Sequence, residues 1–278
     1  MPRRTVPAVP RLEYADYLAH IRRDSARFRE VLAGCDPEAR VPSCPDWSAA
    51  DLLWHLTTVQ HWWCAMVTNR PRSADEMGYV EPERPTTYDA LLAAYDDAHA
   101  TFLAALEAAD PAESAYSWSA KPSDHIVGFT YRRQAHEALI HRLDAELTAD
   151  CVTPLDADLA ADGVDEALDV MYGHLPAWGT FDPLPRYVEF RISDAGTSVW
   201  TQIGVFSGTA PDDGQVFIDE KDMHVVPDPG VPADVVVTGD AAAMDAWLWR
   251  RRDDSGITVT GDRGTYDHAR GVLDQPVD

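Results

Sequence analysis

The chain has 278 residues, enough for one large domain or two ordinary ones with their own buried cores. Lysine and arginine number 23 against 47 aspartates and glutamates, a formal charge of −24 that makes phosphate backbones and anionic lipid surfaces poor partners. No window approaches the ~20 consecutive apolar residues of a membrane span. The N-terminus, broken by Pro2, Pro7 and Pro10, lacks the apolar stretch of a secretory signal, so a soluble cytoplasmic protein is expected.

The first half reads as helices. Leu18, Ile21, Phe28 and Leu32 mark one amphipathic face between about Leu12 and Gly34. Ser48 with Asp51 three residues on resembles a capping box, and Leu52, Leu56, Val59, Trp63 and Met66 continue at helical spacing until Pro71. Tyr88, Leu91, Leu92, Tyr95, Phe102, Leu103 and Leu106 mark a third helix, and Thr130 to Thr148 a fourth. Such helices form a four-helix bundle with facing apolar stripes, and the long loop between the second and third suits a crossover. Cys35, Cys44, Cys64 and Cys151 show no C-x-x-C spacing and read as reduced, semi-buried thiols.

After Cys151-Val152-Thr153-Pro154 the texture changes. A helix from about Asp158 to Tyr172 precedes the strand-like runs YVEFRI, SVWTQIGVF, QVFIDE, MHVVP, ADVVVTG and ITVTG. AAAMDAWLWRRR reads as a helix between the last two, and TYDHARGVL closes the chain. The expected organisation is a helical bundle over 1–153 followed by an α+β domain over 154–278.

Residues 131 to 147, YRRQAHEALIHRLDAEL, nearly spell the zinc-protease signature His-Glu-x-x-His. His136 and His141 are five apart, however, which places them ~140° from each other around a helix, so they cannot share an ion. Glu137 and His141 are four apart and lie on one face. Asp144 falls on the same side, either supporting the imidazole or forming an ordinary ion pair. His55, in DLLWHLTT, shares the inward stripe of the second helix; a lone histidine there is ordinarily a hydrogen-bonded core residue. His55, Glu137 and His141 together would supply three metal ligands and leave one position open.

Two segments, VPSCPDWSAADLLWHL (Val41–Leu56) and RRQAHEALIHRLDAE (Arg132–Glu146), in this order resemble the mycothiol-dependent maleylpyruvate isomerase family of the DinB-like superfamily. The resemblance implies a DinB-like metal-binding bundle, with His55, Glu137 and His141 as ligands of a divalent metal, usually zinc, and a smaller sterol-carrier-like α/β C-terminal domain. It also implies a use for the arginine of a Trp-Leu-x-Gly-Arg run. Here WLWRRR puts Arg251 at that arginine and Arg250 in place of the glycine.

By this resemblance the protein is a mycothiol-dependent metalloenzyme, an isomerase or a thiol S-transferase acting on a small molecule, and a monomer or small homo-oligomer. Mycothiol is an actinobacterial thiol, and a chain whose only lysines are Lys121 and Lys221 is compatible with that origin. Arg251 is the first candidate for holding a carboxylated substrate and Asp144 the candidate catalytic carboxylate, with Arg132, Arg142 and His61 as cofactor contacts. Each arginine also reads as a surface or interdomain ion-pair residue, and Trp62 and Trp63 as bundle core or cleft walls. A non-catalytic metal- or thiol-binding protein of the same fold is the alternative, and an interaction module the bland reading.

Overall fold

The structure, a computed structural model, describes residues 6–73 and 76–275. The outer limits of the expected domains, residues 1–5 and 276–278, lie outside the described residues. The described residues form two compact units: Leu12–Leu155, and residues 156–275 together with residues 6–11. That leading segment was expected with the bundle. It joins the second unit because the Pro7 carbonyl accepts a hydrogen bond from Ser198 N at 3.0 Å.

The helical unit holds α1 (Tyr14–Ala33), α2 (Ala49–Asn69), α3 (Tyr88–Ala108) and α4 (Val127–Thr148), with a short hairpin of β1 (Arg40–Val41) and β2 (Cys44–Ser48) between α1 and α2. The expected capping box starts α2: Ser48 Oγ accepts from Asp51 N while the Asp51 carboxylate accepts from Ser48 N. Phe28, Leu32, Leu52, Leu53, Leu56, Leu91 and Tyr95 interdigitate in one core between α1, α2 and α3.

α1 packs chiefly on α4 and α2 chiefly on α3, with α2–α4 and α1–α3 contacts closing the ring. Both α1 to α2 and α3 to α4 therefore cross a diagonal of the bundle. The long α2–α3 loop is the expected crossover: Arg84, just ahead of α3, pairs with Asp51 at the start of α2, and His99 meets Gln60 further along both helices, so α2 and α3 run in the same direction and the loop returns along the bundle.

α4 is buried along nearly its whole length, although Arg132, Arg133, Gln134, His136, His141, Arg142, Asp144 and Glu146 all lie on it. Buried charge is costly unless paired. Pairing is what the structure shows: Arg142 Nε lies 3.4 Å from Asp24, and Glu146 2.9 Å from Arg27 Nε.

In the second unit, α5 (Ala157–Glu166) continues as a π-helical turn over Ala167–Tyr172. The strands β3 (Gly179–Ile192), β4 (Thr197–Thr209), β5 (Val216–Val226), β6 (Val235–Gly239) and β7 (Thr258–Gly261) form one sheet in the order β5-β4-β3-β6-β7. Among the described residues only β3 and β6 pair in parallel. α6 (Ala241–Leu248) connects β6 to β7, and α7 (Arg263–Leu273) packs on the sheet. The fold class read from the sequence, a helical bundle followed by a mixed sheet unit, is the one observed.

Two local expectations change. QVFIDE and MHVVP are one strand, β5, kinked at Asp219, whose φ is 52° and whose N–H donates to Ser207 Oγ where the register with β4 shifts. α6 stops at Leu248 rather than running through the arginines. Arg250 adopts φ 59°, and Arg251 N turns back to Ala246 O at 2.8 Å.

Candidate metal centre

His55 sits two turns into α2, on the inward stripe that continues the capped first turn. Glu137 and His141 sit one turn apart on α4, which packs on α2. The three side chains converge: Glu137 Oε1 lies 3.0 Å from His141 Nε2 and 3.4 Å from His55 Nε2. One ligand atom from each lies within 4.8 Å of the others. The two imidazole rings meet edge to face, centroids 4.7 Å apart. His136 points elsewhere, its ring 6.3 Å from Tyr17 on α1, as the helical phase requires.

A second tier of groups fixes these three. His141 Nδ1 lies 2.9 Å from Asp144 Oδ2, and the other Asp144 oxygen accepts from the Ser43 hydroxyl on the β1–β2 turn. Asp144 is fully buried. Arg133, one turn before Glu137, donates to Glu137 Oε2, leaving Oε1 for the histidines. Trp47 of β2 packs over His55 with ring centroids 4.7 Å apart. The hairpin thus supplies one hydrogen bond and one aromatic cover.

Charge follows from these contacts. Burial penalises the charged form of Glu137, yet the Arg133 guanidinium, His141 and their hydrogen bonds hold its pKa well below the usual carboxylate range. For His141 burial likewise opposes the charge, and the Glu137 and Asp144 carboxylates outweigh it, raising the pKa to about 9. A proton therefore occupies the metal-free cluster at neutral pH. Two imidazole nitrogens and one carboxylate oxygen, with Nδ1 of one histidine held by a buried carboxylate, are a donor set that fits a divalent cation of zinc type.

The remaining sequence candidates are placed as follows within their own units. Arg142 donates to Thr153 Oγ1 and the Pro154 carbonyl at 3.1 and 3.4 Å besides facing Asp24, which ties the chain leaving α4 to α1. Arg132 is buried on α4. His61 packs on Tyr79, centroids 5.6 Å apart, and lines a cleft of about 540 Å³ between α2 and α3 with Trp54, Cys64 and Asp97. Arg251 belongs to the second unit, where its Nη1 donates to Trp249 O at 2.7 Å. Ser43, Trp47 and Arg133 were missed, although Ser43 and Trp47 lie inside the quoted VPSCPDW segment and Arg133 stands one helical turn before Glu137.

A bundle that gathers a His-Glu-His donor cluster, followed by a mixed sheet unit, defines the class of this protein. Residues 18–146 match the family profile described as the mycothiol maleylpyruvate isomerase N-terminal domain, and residues 158–268 match that of the MDMPI C-terminal domain. The chain belongs to the mycothiol-dependent maleylpyruvate isomerase family. Crystal structures of a mycothiol-dependent maleylpyruvate isomerase and of a histidine-to-alanine mutant superpose with TM-scores of 0.57 and 0.56. They are 13% and 12% identical to this chain, covering 90% of it and 93% of theirs, so the likeness is one of fold. Among curated proteins no sequence matches.

Proposed function

We propose that the protein is a mycothiol-dependent metalloenzyme that isomerises a small cis-enoyl substrate or transfers the thiol to a small electrophile. The observation that carries this reading is the convergence of His55, Glu137 and His141 within 4.8 Å, backed by Asp144. Those three residues would hold a divalent cation, with zinc best suited to them. When bound, such a cation lowers the pKa of a thiol, so that sulfur is nucleophilic at neutral pH.

The protein's own groups do the positioning. Asp144 accepts the Nδ1 proton of His141 and so directs Nε2 toward Glu137 and His55, which makes it a positioning residue. Arg133 orients the Glu137 carboxylate. Trp47 covers the His55 ring and limits water on that side. This reading sets the protein in the cytoplasm, as a monomer or small homo-oligomer. Among the described residues no helix is long and apolar enough to cross a membrane.

Full-length protein loaded with zinc should turn over maleylpyruvate or 1-chloro-2,4-dinitrobenzene only when mycothiol is present. Turnover without thiol would point to activated water and contradict the reading. Binding of zinc and mycothiol with no turnover of either substrate would favour the non-catalytic binder.

A further inference from the structure

On α2, Thr58 and Trp62 follow His55 on the same stripe, one and two turns away, a rise of ~4.5 to ~10 Å. They open into a cleft of about 340 Å³ walled by Trp62, Trp63, Tyr79 and Trp118, with Thr58 at one side and Glu81 exposed at the rim. Phe129, two turns before Glu137 on α4, backs this wall, its ring centroid 5.9 Å from Trp63 and 5.6 Å from Trp118. Trp62 stands edge-on to Trp63 at 4.7 Å. The aromatic cleft thus begins one turn along α2 from His55.

The charge of this cleft is as informative as its shape. Among the described residues no arginine or lysine lines it, and the carboxylate in its lining is that of Glu81. Of the two arginines on α4 between Phe129 and Glu137, Arg133 has its guanidinium on Glu137, and Arg132 is buried and does not line the cleft. A dicarboxylate here would lose hydration against indole rings and face Glu81, with no guanidinium fork to replace the lost water. A flat, uncharged ring system would instead stack on or meet edge-on the indole and phenol faces.

We infer that this cleft, between α2 and the loops bearing Tyr79 and Trp118 on either side of α3, is the acceptor site and takes a neutral, planar aromatic electrophile instead of a dicarboxylate. The inference rests on the proposed thiol-dependent reading and selects S-transfer within it. In that transfer, with an aryl epoxide as the electrophile, the thiol sulfur bonds to a ring carbon of the epoxide as that carbon's C–O bond breaks, the electron pair of the broken bond stays on the epoxide oxygen, and the thiol proton goes to that oxygen to give a hydroxyl. No further reactant is required.

The test is calorimetric titration of the zinc-loaded full chain with 2-naphthol, as an unreactive aromatic probe, and with maleate, as a dianion. Measured metal content accompanies each variant. 2-Naphthol should bind at least tenfold tighter than maleate, and Trp62→Ala should weaken it about tenfold or more while leaving zinc content unchanged. Tyr79→Ala provides a second reading should Trp62→Ala fold poorly. Glu81→Arg, at an exposed position, should strengthen maleate binding severalfold. Tighter binding of maleate than of 2-naphthol, or 2-naphthol binding indifferent to both aromatic variants, would overturn the inference even if zinc and thiol activity were present. Aromatic binding to a chain that takes up no zinc would instead uphold the cleft and sink the metalloenzyme reading.

Discussion

The Glu137 carboxylate faces two ways, one oxygen toward His55 and His141 and the other toward Arg133, and the pH behaviour of the cluster follows from that division. In the metal-free chain the His141 pKa, raised from 6.5 to about 9, stabilises the fold fully below pH ~6.5, and this contribution is lost as pH rises through about 9. Glu137, whose pKa is depressed, contributes fully above its ordinary value of 4.5 and loses its contribution in acid. Thermal midpoints of the metal-free protein should therefore fall between pH 6.5 and 9, a loss that zinc-loaded protein, with His141 already deprotonated, should not show. Zinc uptake at pH 7 should release about one proton, and calorimetry in buffers of different ionisation enthalpy reads that number. Asp144→Asn should weaken zinc binding by about 10- to 100-fold, since His141 loses its anionic partner; unchanged affinity would remove Asp144 from the site. At this scale helical phase sufficed to separate His141 from His136. It could not reveal Ser43, because a hydroxyl on a turn carries no periodicity and acts here through a contact 101 residues away in sequence.

At the scale of elements, the β1–β2 hairpin links the first turn of α2 to the cluster on α4. Ser48 caps α2, Trp47 covers His55, and Ser43 reaches Asp144, all within the nine residues from Arg40 to Ser48. Ser48→Ala removes the cap and should cost about 1 kcal/mol in urea denaturation. Ser43→Ala should weaken zinc binding less than Asp144→Asn does, since it removes only one support of the carboxylate. The helices were legible because their apolar spacing and caps are local signals. The diagonal crossing of α1 to α2 was not, because the order of helices around a bundle is set by tertiary packing. Similarly, the merging of QVFIDE and MHVVP into β5 depends on a kink at Asp219 stabilised from the neighbouring strand. The left-handed turn at Arg250 has a physical counterpart in sequence: the related motif carries glycine there, the residue for which φ 59° costs nothing. Arg250 offsets part of that strain with hydrogen bonds from its guanidinium to Leu273 O.

For the whole molecule, a formal charge of −24 means that self-repulsion opposes the compact state. Raising sodium chloride from about 20 to 200 mM should therefore raise the thermal midpoint of the metal-free protein, by screening. A single bound cation should raise it further by linkage, and chelation should reverse that gain. The family and the two-unit organisation were readable because motif segments and composition shifts survive along the chain. The aromatic cleft was not, since it depends on side chains from α2, α4 and the loops flanking α3 meeting in one place. The most direct measurement is the divalent-metal content of purified wild-type, His55→Ala, His141→Ala and His136→Ala protein. About one ion per chain in the wild type and in His136→Ala, and none in the other two, is the predicted result. Full retention of the ion by both His55→Ala and His141→Ala, or its loss from a folded His136→Ala, would contradict the account.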